Sequence, residues 1–233
     1  MPRPLMIFAA GFGTRMGTLT RDRPKPLLPV AGVTLLDRAL ALGRAAGARP
    51  LVVNTHYLAG QVAAHLAGAV DVTISDEPEI LETGGGLRAA LPRLGPGPVA
   101  TLNPDGVWTG PNPLSTLAAA WDAERMEALL LLAPRAATRA HTGPGDFALA
   151  ADGRIARARG APGALVYTGA QILRTEGLAE IAERAFSLNR LWDAMAARGG
   201  LYGVLHAGCW ADVGTPDGLA AAEALLAEVP GDG

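Results

Sequence analysis

The stretch Met6-Ile7-Phe8-Ala9-Ala10-Gly11-Phe12-Gly13-Thr14-Arg15-Met16-Gly17 constrains this chain more than any other. A short apolar run closing on two alanines reads as a buried parallel strand. It breaks at once into a loop with glycines at 11, 13 and 17. Glycine lets a backbone approach a ligand closely, and successive N–H groups in such a loop can cradle phosphate oxygens. Arg15 adds a cation, and Lys25 adds another from Pro24-Lys25-Pro26-Leu27-Leu28-Pro29-Val30. The reading is an anion-binding loop at the carboxyl end of the first strand, suited to a nucleoside triphosphate.

Two other glycine loops are excluded by spacing. The dinucleotide fingerprint needs G-x-G-x-x-G opening a helix, with an acidic residue about 20 positions on. Here the third glycine falls one residue late, and Pro24-Lys25-Pro26 interrupts where a crossover helix would run. The P-loop needs G-x-x-x-x-G-K-[ST], and no lysine follows either glycine. On the glycines alone, a tight turn without a ligand stays open; the two cations weigh against it.

With 233 residues, 49% of them hydrophobic, the chain can bury one sizeable core, which predicts a single α/β domain. The net charge is -2 and the Lys and Arg residues form no runs, so DNA and RNA are not expected as partners. Cys209 stands alone, which leaves no disulfide framework or cysteine zinc set and predicts a reducing compartment. No apolar run reaches the length of a membrane span, and the N-terminus lacks a signal peptide's charged and apolar regions. The expectation is a soluble cytoplasmic protein with no membrane partner. Nothing in the sequence favours a particular oligomeric state.

Downstream, apolar spacing predicts a helix over 35–47, a strand over 50–54, a helix over 60–66 and a strand over 70–75. Strands separated by helices predict a Rossmann-like, mostly parallel sheet with helices on both faces. Ligands then sit beyond the carboxyl ends of the strands, where Arg15 and Asn54 converge. Glu82-Thr83-Gly84-Gly85-Gly86-Leu87 leads into a further helix, and its glycines are expected to present N–H groups to a ligand. A strand over 98–102 runs into Asn103-Pro104-Asp105, where a carboxylate near a phosphate loop suits a hard divalent cation. An Asx-type turn is the alternative there. Residues 127–133 read as a buried central strand, and 145–155 as a hairpin turning at Asp152-Gly153. Val166 to Leu173 reads as a strand broken by Gly169. A helix follows near Ser187, with Asn189 and Asp193 sharing a face; a strand spans 201–206, and Thr215-Pro216 caps the last helix.

Ala9 to Met16, Pro24-Lys25-Pro26-Leu27 and Pro29-Val30-Ala31-Gly32, with Trp210-Ala211-Asp212-Val213-Gly214-Thr215-Pro216 near the end, resemble the signature of the sugar-1-phosphate nucleotidylyltransferases. The resemblance implies Mg²⁺-dependent transfer of a nucleotidyl group from a nucleoside triphosphate to a sugar-1-phosphate, with pyrophosphate leaving. Carried over by position, Ala10, Gly11, Gly13 and Thr14 hold the nucleotide phosphates. Arg15 meets the departing pyrophosphate and Lys25 the reacting phosphate, and these are the implied catalytic residues. Thr83, Gly84 and Gly85 contact base and ribose alongside Asn54, while Asp105 and Asp212 ligate the metal. Gly145, Thr168 and Gly169, together with Lys25, serve the sugar phosphate, and Asn189 is added to them because its helix face could turn to the site. Pro104 departs from the small residue that the family's Asn-x-Asp segment leads one to expect. The division implied is about 1–133 for the nucleotide and about 134–233 for the sugar phosphate, with no C-terminal β-helix.

Short members carrying Leu-Glu-Thr-Gly-Gly-Gly act on UTP and N-acetylmuramate-1-phosphate in cell-wall recycling, which is the specificity this resemblance implies. Mannose-1-phosphate guanylyltransferases and glucose-1-phosphate thymidylyltransferases share the motifs and remain alternatives. A non-catalytic nucleotide-sugar sensor would not need both carboxylates.

Overall fold

The computed structural model describes residues 3–228. β1 (Leu5–Phe8) runs into the glycine loop, which coils as a 3-10 helix over Thr14–Thr20, and a second 3-10 turn spans Lys25–Leu27. A small ribbon of β2 (Pro29–Val30) and β3 (Val33–Thr34) precedes α1 (Leu35–Ala45). The Thr34 hydroxyl caps that helix by accepting from the Asp37 N–H, and left-handed Gly47 (φ 69°) ends it. Next come β4 (Leu51–Thr55), α2 (Ala59–His65), β5 (Val72–Asp76) and α3 (Glu82–Leu94). β6 (Val99–Leu102), β7 (Gly106–Trp108), α4 (Pro113–Ala120) and β8 (Ala128–Ala133) follow. The last part contains β9 (Thr138–Arg139), the hairpin β10 (Phe147–Leu149) and β11 (Ile155–Arg157), and β12 (Val166–Leu173). It closes with α5 (Asn189–Ala197), β13 (Leu201–Leu205), β14 (Trp210–Asp212) and α6 (Pro216–Ala227).

Seven strands form one sheet in the order β13-β8-β12-β6-β1-β4-β5. All run the same way except β12, which is antiparallel to both neighbours. The period-2 geometry of β1 divides the core. Leu5 and Ile7 join Leu36, Leu40, Val62 and Leu117 from α1, α2 and α4 on one face. Met6 joins Leu87, Ala90 and Leu94 of α3 and Leu191 and Met195 of α5 on the other. Strands coated on both faces must be apolar throughout, and β8, whose six residues are all buried, reads Ala-Leu-Leu-Leu-Leu-Ala. No β-helix occurs among the described residues, and none of their helices is long and apolar enough to cross a membrane.

From β1 the chain winds outward through β4 to β5, then returns to β6 on the other side of β1. That reversal opens a crevice beyond the carboxyl ends of β1 and β6, where open α/β sheets bind ligands. A second, three-stranded sheet, β7-β14-β9, stands beside the crevice. A third apolar cluster underlies it, gathering Met16 of the glycine loop, Val107, Ala211, Val213, and Ala222 and Leu225 of α6.

Candidate active site

A cavity of about 320 Å³ occupies the crevice. The ends of β1 and β4, the glycine loop, Lys25, Thr83 and the Asn103–Asp105 turn line it. Its floor is fixed by Asn54, whose Oδ1 accepts from the Ala9 N–H at 2.7 Å and whose Nδ2 donates to Glu77 Oε1 at 2.6 Å. The loop above it is pinned from outside. Phe12 meets His56 and Tyr57 edge-on at 5.5 and 5.6 Å. The Tyr57 hydroxyl donates to the Thr20 and Arg21 carbonyls, and the Thr20 hydroxyl donates to the Gly13 carbonyl. None of the N–H groups from Ala10 to Arg15 donates to a backbone carbonyl among the described residues. A loop pinned in this way that leaves successive donors free is able to take an anion.

Gly13 is required twice over. Its φ is 65°, and a Cβ there would lie 2.9 Å from the Cβ of Lys25. That close approach lets Lys25, held between Pro24 and Pro26, pass beneath the loop and reach Asp105, with Nζ 2.7 Å from Oδ2. Asp105 leads directly into β7, which pairs antiparallel with β14 so that Gly106 lies opposite Asp212. The Val213 N–H donates to the Asp105 carbonyl at 2.8 Å, locking the two aspartates' backbones together. Arg15 comes to the same place. A Cβ on Gly214 would lie 2.9 Å from Asp212 Oδ1 and 3.0 Å from an Arg15 guanidinium nitrogen.

Asp105 and Asp212 are the residues that could hold a divalent cation. Both offer hard carboxylate oxygens, and no group of three or more His, Cys, Asp or Glu suited to a metal occurs among the described residues. That donor set fits an ion that takes one or two carboxylates and completes its shell with phosphate and water, as Mg²⁺ does.

A family model described as the MobA-like NTP transferase domain matches residues 5–160. The chain belongs to that family. It is 43% identical over 237 aligned positions to the N-acetylmuramate alpha-1-phosphate uridylyltransferase of Caulobacter vibrioides, covering 97% of this chain and 98% of the relative. The same-named protein of Neisseria meningitidis serogroup B is 35% identical over 94% of this chain and 96% of its own length. The crystal structure of a UDP-glucose pyrophosphorylase complexed with UDP-glucose superposes with a TM-score of 0.79, at 15% identity, over 98% of this chain and all of that one. HddC from Yersinia pseudotuberculosis complexed with GMP-PN gives 0.75 at 18% identity, over 95% and 98%. At those identities the likeness shows the fold, and the fold agrees with the one expected from the sequence.

In this nucleotidyltransferase the glycines of 84–86 have a different setting from the one their sequence suggested. They lie buried inside α3, and the Gly84 and Gly85 N–H groups both donate to the Phe186 carbonyl rather than facing the cavity. A Cβ on Gly84 would lie 2.3 Å from the Phe186 ring, and one on Gly86 would lie 2.6 Å from Glu77 Oε1. Thr83 lines the cavity, and its hydroxyl accepts from the Leu188 N–H. Gly169, at φ 85° in a bulge of β12, faces Asn103 and accepts its N–H through the carbonyl. The Thr168 hydroxyl donates to the Leu131 carbonyl in the core, and Gly145 packs on the Ala164 carbonyl. Asn189 lies at the start of α5, where its Oδ1 accepts from Arg157.

Glu77 escaped the sequence reading, and the conformation of Glu82 could not be read from it. Glu77, one residue past β5, is buried; burial pushes its carboxyl above the usual glutamate range, against the opposing bonds from Asn54 and the Leu81 N–H. Glu82 opens α3 at φ 58°, a left-handed conformation that costs a non-glycine residue about 1–2 kcal/mol. Such a conformation persists only where the surrounding structure holds it. His206, the strand histidine, bonds the Thr109 carbonyl through Nε2, and burial lowers its affinity for a proton.

Proposed function

We propose that this nucleotidyltransferase moves a uridylyl group from UTP to N-acetylmuramate-α-1-phosphate, releasing pyrophosphate. The full-length kinship with two uridylyltransferases of that name is the observation that carries the substrate assignment. A phosphate oxygen of the sugar-1-phosphate forms a bond to the α-phosphorus of UTP, while the bond from that phosphorus to the β-phosphate bridging oxygen breaks. The attacking oxygen is already anionic, so no general base is needed, and catalysis consists of alignment and charge neutralisation.

In this reading Ala10, Gly11, Gly13 and Thr14 hold the triphosphate through backbone N–H groups. Lys25 stabilises the reacting phosphate, and Arg15 stabilises the pyrophosphate as its charge grows. Asp105 and Asp212 would hold Mg²⁺, which when bound supplies positive charge to the phosphates. Thr83, with Gly84 and Gly85 shaping the wall behind it, borders the base and ribose, and Asn54 fixes the floor. Gly145, Thr168, Gly169 and Asn189 belong to the half of the chain that faces the sugar phosphate, with Thr168 and Gly169 acting through the Asn103–Asp105 turn. The lone Cys209 suits a reducing cytoplasm, and the reaction suits cell-wall sugar recycling.

The test is pyrophosphate release across a matrix of four nucleoside triphosphates and several sugar-1-phosphates, with and without Mg²⁺. Highest kcat/KM is expected for UTP with N-acetylmuramate-α-1-phosphate and the metal. A clear preference for GTP with mannose-1-phosphate, or for dTTP with glucose-1-phosphate, would overturn the assignment.

A further inference from the structure

One half-buried histidine beside the site has no part in the reaction as described. β9 runs parallel to β14, with Thr138 opposite Trp210 and Arg139 opposite Ala211. The ladder therefore delivers Ala140 level with Asp212. There the strand stops, because Ala140 adopts φ 57°. That left-handed turn swings His141 over the Asp212 side chain, with Nδ1 3.6 Å from Oδ2. The ring leans on Trp210 at 5.7 Å between centroids. Gly143 closes the other side: a Cβ on it would lie 2.5 Å from Nε2. Both ring nitrogens are buried, and neither has a hydrogen-bond partner among the described residues.

An imidazole with two unpartnered buried nitrogens costs stability, and so does a left-handed alanine. The chain carries both costs at one point, and that point abuts a single carboxylate. Nδ1 stops only a few tenths of an ångström beyond hydrogen-bond reach of Oδ2. Nitrogen is a poor ligand for a hard cation that selects oxygen, so the ring is suited to act on the carboxylate rather than on the ion. Carboxylate ligands are commonly oriented by an outer hydrogen-bonding partner, and loss of such a partner weakens metal affinity about 10–100-fold.

We propose that His141 is a positioning residue for nucleotidyl transfer. Its Nδ1–H holds Oδ2 of Asp212, leaving Oδ1, on the Arg15 side, to meet the cation. This rests on the reading of Asp212 as a metal ligand. The experiment uses Mn²⁺ as the probe, titrated into the full-length protein with α,β-methylene-UTP, an analogue that cannot transfer its nucleotidyl group. The free-ion EPR signal is followed against an analogue-only blank. His141→Ala and His141→Gln are expected to raise the Mn²⁺ dissociation constant about 10–100-fold. His141→Asn, whose amide nitrogen can stand where Nδ1 stands, should restore most of the affinity. In turnover, the same two losses should appear as a raised KM for Mg²⁺ with kcat largely kept at saturating metal. Unchanged Mn²⁺ affinity in the Gln variant, or equal losses in Asn and Gln, would overturn the proposal even if the Ala variant fails to fold. If the unsubstituted protein takes up no Mn²⁺ and releases no pyrophosphate, the proposed function itself fails and this inference falls with it.

Discussion

At the β1 end of the crevice, the N–H groups from Ala10 to Arg15 have no backbone acceptor among the described residues, and the Arg15 guanidinium lies against Gly214 near a carboxylate. Around α5, none of whose residues lines the cavity, the polar groups are spent on one another. Arg157 of β11 lies over the rings of Phe147 and Trp192 at 4.9 and 5.5 Å. The same guanidinium donates to Asn189 Oδ1 at 2.7 Å and to Asp193 Oδ1 at 3.0 and 3.1 Å. Trp192 Nε1 in turn donates to Gln171 Oε1. Folding tolerates unsatisfied donors only where water or a ligand can take them. The contrast separates a loop whose donors are left to water or a ligand from a region that ties a hairpin to a helix. Asn189 and Asp193 do share a helix face, as their spacing suggests, and that face is turned to Arg157.

The sharpest way to break this contrast is to remove charge from the β1 end. Lys25→Ala and Asp105→Asn should each lower the rate of pyrophosphate release by about 10² or more, the usual loss for one preorganised charge. Lys25 is mostly buried and Asp105 less so, so circular-dichroism melting at the assay temperature must show each variant folded for its loss to count. Near-normal release from either variant would remove that residue from the chemistry.

The wall between the two ends comes next. Gly84→Ala drives a methyl to 2.3 Å from the Phe186 ring and 2.8 Å from its carbonyl oxygen. Overpacking of that kind costs about 1–3 kcal/mol, to be read as a lower urea midpoint. An unchanged midpoint would mean that the 184–188 segment is free to move off α3. The smallest structural effect is expected from Arg157→Ala. Losing the aromatic sandwich should cost about 0.5–1 kcal/mol, with a few-fold rise in KM for the sugar phosphate and kcat kept. A collapse of kcat would make the α5 end catalytic and erase the contrast.

Much of this was legible because it is local. The β1 run, the cation spacing, the Asp152-Gly153 hairpin and the Thr215-Pro216 cap each depend on a few neighbouring residues, and each forms where the sequence puts it. What was not legible depends on distant partners. The glycines of 84–86 read as a ligand loop because nothing nearby announces that Phe186, about a hundred residues on, will pack against them. The helix over Pro113–Ala120 went unread, since its small residues mute the apolar period, although Asn112 caps it. The antiparallel sense of β12 follows from the path of the chain rather than its composition. Asn54 lines the cavity, but its bond to Glu77 crosses two strands that sequence separation conceals.

That bond offers a test on the cavity floor, where polar groups are paired as at α5. Burial raises the Glu77 carboxyl above its unfolded value, so the folded state holds this proton more tightly than the unfolded chain does. Where the native state binds more protons, stability falls as pH rises. The favourable contribution is complete below the ordinary glutamate range and is lost as pH climbs through the raised folded value, beyond which the penalty is constant. Glu77→Gln keeps an oxygen for Asn54 Nδ2, gives up the long 3.3 Å bond from the Leu81 N–H, and cannot titrate. Urea-unfolding free energies of the two proteins at a series of pH values should therefore differ by an amount that moves against the native glutamate as pH rises through that window. A difference that stays flat would show that Glu77 is solvated enough to ionise freely. One that moves in favour of the glutamate would show that its hydrogen bonds outweigh its burial, making the cavity floor a charged surface.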